Sequence, residues 1–328
     1  MKKLILFFVA FGLTTVYAQV LKTNISVHDP VMIRQDSTYY IFCTGWGISV
    51  WSSKDMTHWK QEKPVFDKAP QWAVDSIKGF KGHIWAPDIS YYNHQYYLYY
   101  AVSIFGKNTS CIGVATNKTL NPADPEFKWE DHGMVIQSHP GRDHWNAIDP
   151  NLIRDKDGTP YLVFGSFWDG IKIVRLSKDG FKPDEPLDDL PTLASRRKET
   201  QSSKETRVHA GDNAIEAPFI FKKGKYFYLF TSIDYCCKGP QSTYKMIVGR
   251  SKKLMGPYVD EQDAPLRSGG GTIVLAGDKD WYGVGHNAVC EFDGKDYLIF
   301  HGYDASDQGK SKLRIEKLQW KKGWPVII

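Results

Sequence analysis

The chain has little charge bias: 42 Lys and Arg against 37 Asp and Glu leave +5, or +3 once Lys2 and Lys3 are set aside. So weak a balance argues against nucleic acid as the main partner. Past residue 18 no run is long and uncharged enough to cross a membrane, so no membrane partner is expected. Cysteine is scarce. Five residues, an odd count, are too sparsely spaced to be a disulfide framework. Cys236 and Cys237 are adjacent, and two readings stay open for them: a strained eight-membered vicinal disulfide, or two free thiols in a loop. There is no HExxH pair, no GxSxG elbow and no metal-spaced Cys/His cluster, so metal-assisted hydrolysis and nucleophilic triads fit poorly. The Gly269-Gly270-Gly271-Thr272 run lacks the ending of a phosphate loop and reads as a turn.

What is present begins with Lys2 and Lys3, an apolar run from Leu4 to Val16, and small residues before position 19. Residues 1–18 therefore read as a secretory signal peptide, and residues 19–328 as an exported chain, secreted or periplasmic and expected to be monomeric. Its 11 Trp, 18 Tyr and 17 Phe suit β-structure or flat platforms for sugar rings, without choosing between them.

The runs YYIF (39–42), YYLYY (96–100), YLVF (161–164), YFYLF (226–230) and YLIF (297–300) read as strands. Each follows a turn carrying Gly, Asp or Asn, and before each turn stands a polar motif. These motifs are His28-Asp29-Pro30, Ala86-Pro87-Asp88, Ile148-Asp149-Pro150, Glu216-Ala217-Pro218 and Gly285-His286-Asn287. Taking positions 29, 88, 149, 216 and 287 as equivalent, the steps between units are 59, 61, 67 and 71 residues. A third strand follows in every unit, at 48–56, 111–120, 171–180, 246–255 and 313–318. A unit of this size, with hairpin turns and almost no helical period, is a propeller blade. The expected fold is all-β, a single five-bladed β-propeller over residues 19–328; a sandwich would not repeat a polar motif at one fixed place.

The first strand of each blade lines the axis, so the motifs should converge on Asp29, Asp88, Asp149, Glu216 and His286. Buried carboxylates repel one another and resist desolvation, so stability alone does not gather them. Glycoside hydrolysis needs what such a ring offers: a carboxylic acid to protonate the leaving oxygen and a carboxylate to activate water or attack the sugar. For Asp88 a backbone-capping role at a strand end is an equally good account.

At these residues the sequence resembles glycoside hydrolase family 43, and within it the endo-α-1,5-L-arabinanases. The stretches that carry the likeness are HIWAPDISYY (83–92), SIFGKNTSCIGVAT (103–116), NAIDPNLI (146–153), NAIEAPFI (213–220) and GHNAV (285–289). The resemblance implies hydrolysis of internal α-1,5-L-arabinofuranosyl linkages in arabinan or arabino-oligosaccharides, with inversion. It makes Asp29 the general base, Glu216 the general acid, and Asp149 the third carboxylate, which orients Glu216 and raises its pKa. It places calcium at the axis with His286 as protein ligand, His28 and His301 being weaker candidates. It gives sugar contacts to Trp85, Phe105, Asn146 and Ser166; blade packing is the alternative for the two aromatics, with the binding role favoured for Trp85 beside the channel motif and the two readings closer for Phe105. Alternatives are an exo-acting arabinanase, an α-L-arabinofuranosidase or a β-xylosidase of the same family, with the Phe181–Asp212 stretch a candidate wall across the groove. A non-catalytic sugar-binding propeller is a second alternative.

Overall fold

Tyr, Phe, Val and Ile favour the pleated, half-buried setting of a strand, and here they are joined by turns whose residues accept left-handed backbone. Asp36, Asn93, Gly158, Gly224 and Asp293, one in each first hairpin, have φ between 47° and 87°. The resulting architecture is a five-bladed β-propeller, seen in a computed structural model that describes Leu21, residues 23–197 and residues 212–328. The signal peptide expected at 1–18 lies outside the described residues, as do positions 198–211 of the expected wall.

Every blade is an antiparallel sheet of four consecutive strands. Blade 1 comprises Val31–Gln35, Thr38–Cys43, Ser49–Ser53 and Lys60–Gln61. Blade 2 comprises His83–Tyr92, Gln95–Val102, Ser110–Asn117 and Glu130–Ser138, joined at its inner edge by the two-residue strand Gly45–Trp46. Blade 3 comprises Asn151–Arg154, Pro160–Phe164, Ile171–Arg175 and Thr192–Ala194. Blade 4 comprises Ile215–Lys223, Tyr226–Ile233, Lys245–Ser251 and Thr272–Ala276. Blade 5 comprises Trp281–Phe292, Lys295–Asp304, Lys310–Lys321 and Trp324–Ile327. The first strands of all neighbouring blades touch, blade 5 against blade 1 included. Thr192–Ala194 is the outer strand of blade 3, and Phe181 and Leu187 pack against the core between blades 2 and 3, so this part of the expected wall is blade.

The apolar core is divided into five wedges, one at each seam between blades. Phe164, Leu98, Leu229 and Phe300 are wholly enclosed in them. Each such side chain contributes about 1.5–3 kcal/mol by leaving water. The ring closes through the N-terminal segment: Leu21 bridges to Ile315, Ile25 O accepts the Leu313 N–H, and Thr23 Oγ1 donates to Leu313 O at 2.8 Å.

Register corrects one expectation. The residues standing in left-handed backbone at the start of each first strand are Asp29, Ala86, Asp149, Ala217 and His286, with φ from 38° to 56°. Two residues further on, Val31, Asp88, Asn151, Phe219 and Ala288 each pair with the second strand at matching places. Asp88 is thus the counterpart of Asn151 rather than of Asp29, and Glu216 stands one place before the bulge. Cys236 and Cys237 are joined as a vicinal disulfide, while Cys43, Cys111 and Cys290 are free.

Candidate active site

Left-handed backbone at the mouth of a first strand turns the side chain out of the pleat, and at Asp29 it turns it into a cluster of imidazoles. Asp29 Oδ2 accepts the Thr44 hydroxyl at 2.6 Å. Asp29 Oδ1 lies 2.8 Å from His28 Nδ1 and 3.0 Å from His286 Nδ1. Burial pushes this carboxyl's pKa up, but the positive charge of His286 and the hydrogen bonds from His28 and His286 outweigh it and hold the group well below the usual carboxylate range. Asp29 is therefore an anion at neutral pH, ready to take a proton.

His286 ties Asp29 to the other two acids. Burial lowers its pKa, yet the negative charges of Asp29, Asp149 and Glu216 raise it to about 9. All three carboxyls thus act on one imidazole, as the sequence reading required. Asp149 is buried, and its Oδ2 accepts the Ala217 N–H at 3.0 Å. Burial, with Glu216 and Asp29 adding to it, raises the Asp149 pKa well above the carboxylate range, while His286 and the Ala217 N–H offset part of the rise. Glu216 is half-buried and held at both oxygens: the Ser166 hydroxyl donates to Oε2 and the Tyr244 hydroxyl to Oε1, each at 2.8 Å. A hydrogen-bonded carboxylate anion, a proton-retaining acid and a clamped glutamate in one basin are the set that acid–base cleavage of an acetal requires.

Asp88 also feels the His286 charge, but its oxygens are engaged elsewhere. Its Oδ2 accepts the Leu152 N–H at 2.7 Å and its Oδ1 the Asn151 amide at 3.2 Å, which makes it a clasp between blades 2 and 3. The capping reading of this residue is the one the structure supports.

Each second strand returns to the end where the first began, so the loops between second and third strands surround the acids. Phe105 lies on one of them and is 79% exposed, which excludes blade packing as its role. Trp46 (64% exposed) and Tyr235 (43%) lie on two others, and neither was singled out from sequence. Trp85 is half-buried beside the bulge, with its Nε1–H on His83 Nδ1 at 3.2 Å. Asn146 is buried, and its Oδ1 has no hydrogen-bond partner among the described residues. Tyr244 and Thr44 also escaped the sequence reading, since strands and loops without a motif supply them. For a metal, the described residues bring three groups together as His28/Asp29/His301; His28 also lies beside Cys236 and Cys237, but their sulfurs are tied up in the disulfide. His286 is in neither set and offers a single imidazole.

Comparison with known proteins agrees with this geometry. The family described as glycosyl hydrolases family 43 matches residues 23–325. The chain is 48% identical over 305 residues to the extracellular exo-α-(1→5)-L-arabinofuranosidase of Cellvibrio japonicus, covering 93% of this chain and 87% of that one. It is 39% identical over 307 residues to extracellular endo-α-(1→5)-L-arabinanase 1 of Bacillus subtilis, covering 92% and 88%. The solved structure of Cellvibrio cellulosa α-L-arabinanase complexed with arabinohexaose superposes with a TM-score of 0.89 at 46% identity, covering 93% of this chain and 96% of that one.

Proposed function

Since the chain belongs to glycosyl hydrolase family 43 and is a glycoside hydrolase, we propose that it hydrolyses the α-1,5-L-arabinofuranosyl linkages of arabinan with inversion of configuration. The observation that carries this is geometric: Asp29 Oδ1 lies 3.0 Å from His286 Nδ1, and Asp149 Oδ2 accepts the N–H of Ala217, the residue next to Glu216. Asp29, held as an anion, takes a proton from the attacking water. Glu216, oriented by Ser166 and Tyr244, gives its proton to the leaving oxygen. Burial, with the Glu216 charge adding to it, raises the Asp149 pKa, so a proton is kept on Asp149 beside Glu216. Inversion requires base and acid carboxyls about 6.5–9.5 Å apart, with one water between them and the sugar. Trp85 and Phe105 stack on arabinose rings, and Asn146 and Ser166 bond its hydroxyls. Residues 19–328 act as one exported, monomeric catalytic domain, and both relatives named above are called extracellular.

Internal cleavage is the mode implied by the sequence resemblance, and the Bacillus subtilis relative is named for it. Exo-action is the second reading, favoured by the name and higher identity of the Cellvibrio japonicus relative. Viscosity and reducing ends followed together on linear arabinan decide between them. Endo-action drops the viscosity well before reducing ends accumulate; small products appearing at unchanged viscosity would establish the exo reading.

Calcium at the axis would have to displace the proton that the surrounding carboxylates hold on His286, and would then take over that proton's part in balancing their charge. The donor set is sparse, because Asp29 Oδ1 and Oδ2 already serve His28, His286 and Thr44, so His286 would supply one bond and water the rest. When bound, the ion offsets the carboxylate charge around the cleaved linkage. A chelator is expected to lower the melting temperature of the wild type, with calcium restoring it, and to leave His286→Ala indifferent. A wild type that ignores chelator in both melting and activity would remove the ion from the proposal.

A further inference from the structure

Behind Asp29, where blades 4, 5 and 1 meet, runs a hydrogen-bonded chain that no step of the hydrolysis uses. Its directions follow from donors that have no choice. The Asp29 N–H donates to His301 Nδ1 at 3.1 Å, so that nitrogen is bare and the ring's hydrogen is on Nε2. Nε2–H faces Tyr303 Oη at 3.3 Å, and the Cys237 N–H donates to the same oxygen at 2.7 Å. With both lone pairs occupied, the Tyr303 hydroxyl has its own hydrogen left for His28 Nε2, 2.9 Å away. His28 must then present Nδ1–H to Asp29 Oδ1 at 2.8 Å. Its ring is stacked on that of His301 at 3.9 Å, which fixes its plane.

The chain ends on an exposed residue in an unusual state. Cys237 has φ of 67°, a left-handed conformation disfavoured for residues with a Cβ, and it is bonded to Cys236. Its sulfur lies 3.8 Å from His28 Nε2. The disulfide ring holds the peptide that carries the Cys237 N–H, and that N–H occupies one lone pair of the Tyr303 oxygen, whose own hydrogen is directed to His28 Nε2 at 2.9 Å.

We propose that the Cys236–Cys237 disulfide, through Tyr303 and His28, positions Asp29, and that opening it lowers turnover. This rests on the reading of Asp29 as the base. In the opening reaction a dithiol reductant delivers two electrons and two protons: the S–S bond breaks, each sulfur takes one proton, and the reductant closes to its own disulfide. Cys237 is then released from its left-handed backbone, and its N–H leaves Tyr303. The freed lone pair lets Tyr303 accept from His28 instead of donating to it, and the hydrogen that oriented Asp29 is no longer fixed. Tyr303 and His28 are positioning residues, since neither touches the reacting atoms.

The test compares the oxidised full chain with the same protein opened by dithiothreitol, opening being verified by the mass of the alkylated product. Hydrolysis of arabino-oligosaccharide should lose roughly 10-fold to 100-fold in kcat, the usual cost of an orienting partner, with KM little changed. The double variant Cys236→Ser/Cys237→Ser should show the same lowered kcat and no response to reductant. Tyr303→Phe, which keeps the ring and loses the oxygen, should fall likewise. Nitrogen-15 spectra of the histidine rings should show His28 Nδ1-protonated when oxidised and mixed when reduced, a readout that a purely structural disulfide would not move. Full kcat in the opened protein overturns the inference, as does an equal loss when reductant is added to the double variant. Asp29→Asn separates this from the base assignment. If that variant is dead while the opened protein is fully active, the base stands and the inference falls; if that variant is active, both fall.

Discussion

Asp29 and Glu216 are held in opposite ways, and the difference predicts what their amides do. Asp29 is surrounded by imidazoles that favour its charge, whereas Glu216 is held by two neutral hydroxyls that fix its direction. Asp29→Asn and Glu216→Gln keep shape and most hydrogen bonds, so both variants should fold and bind arabino-oligosaccharide. Each should lose turnover by about 10²–10⁴-fold, the typical share of one general acid or base. Normal binding isotherms with undiminished hydrolysis in either would refute its role as base or acid. Tyr244→Phe removes one of the two bonds to Glu216 and, if that bond only orients the acid, should lower kcat by roughly 10-fold with KM unchanged. The three acids were legible in the chain because each lies in a short polar motif before a Tyr-rich strand. Tyr244 and Thr44 were not, because a Tyr before KMIVGRS or a Thr after YYIFC looks like any strand residue until the ring closes around it.

At the scale of the strand, the left-handed residue that recurs at the mouth of each first strand, Asp29, Ala86, Asp149, Ala217 and His286, accounts for the misreading of Asp88. Spacing alone put Asp88 beside Asp29, since a shift of two residues is invisible when blade lengths vary. Pairing shows the shift: Asp88 lies opposite Tyr99, as Asn151 lies opposite Val163. Both side chains reach the next blade, Asp88 to the Leu152 N–H and Asn151 Oδ1 to the Ile220 N–H at 2.8 Å. Burial raises the Asp88 pKa to about 7, against which its bonds to Leu152 and Asn151 work only in part. The unfolded value is about 3.9. A carboxyl with a raised folded pKa contributes stability that is whole below the unfolded pKa and is lost as pH climbs through the folded one. The window therefore runs from about pH 4 to pH 7. Asp88→Asn does not titrate and can still accept the Leu152 N–H. The melting temperature of wild type minus that of Asp88→Asn should fall from about pH 4 to pH 7 and level off above it. A difference that stays flat over that range would show that Asp88 does not titrate between the blades as described.

The whole molecule is a ring whose five apolar wedges are individually ordinary, so its particular property lies at the seam where chain start meets chain end. Five blades could be counted in the sequence because each repeats the same turn and strand. Closure could not be, because it joins Leu21–Ile25 to Leu313–Ile315 across almost the full length of the chain, with no motif at either end. The active site straddles this seam: Asp29 belongs to blade 1, while His286, His301 and Tyr303 belong to blade 5. A mature chain beginning at Val27 loses the Leu21 bridge, the Thr23 and Ile25 bonds to Leu313 and the Asn24 contact to Lys312. Hydrogen bonds of about 1 kcal/mol each, with two half-buried apolar side chains, amount to about 3–5 kcal/mol. At roughly 2–4 °C per kcal/mol for a chain of this size, melting should drop by on the order of 10 °C. Leu193→Ala, in the outer strand of blade 3, removes a buried side chain worth about 2–5 kcal/mol and serves as the comparison. Both proteins should melt early, but at 25 °C only the shortened chain should also lose kcat, because only its damage reaches the seam that orients Asp29. Equal kcat in the two would mean that closure stabilises the ring without shaping the site.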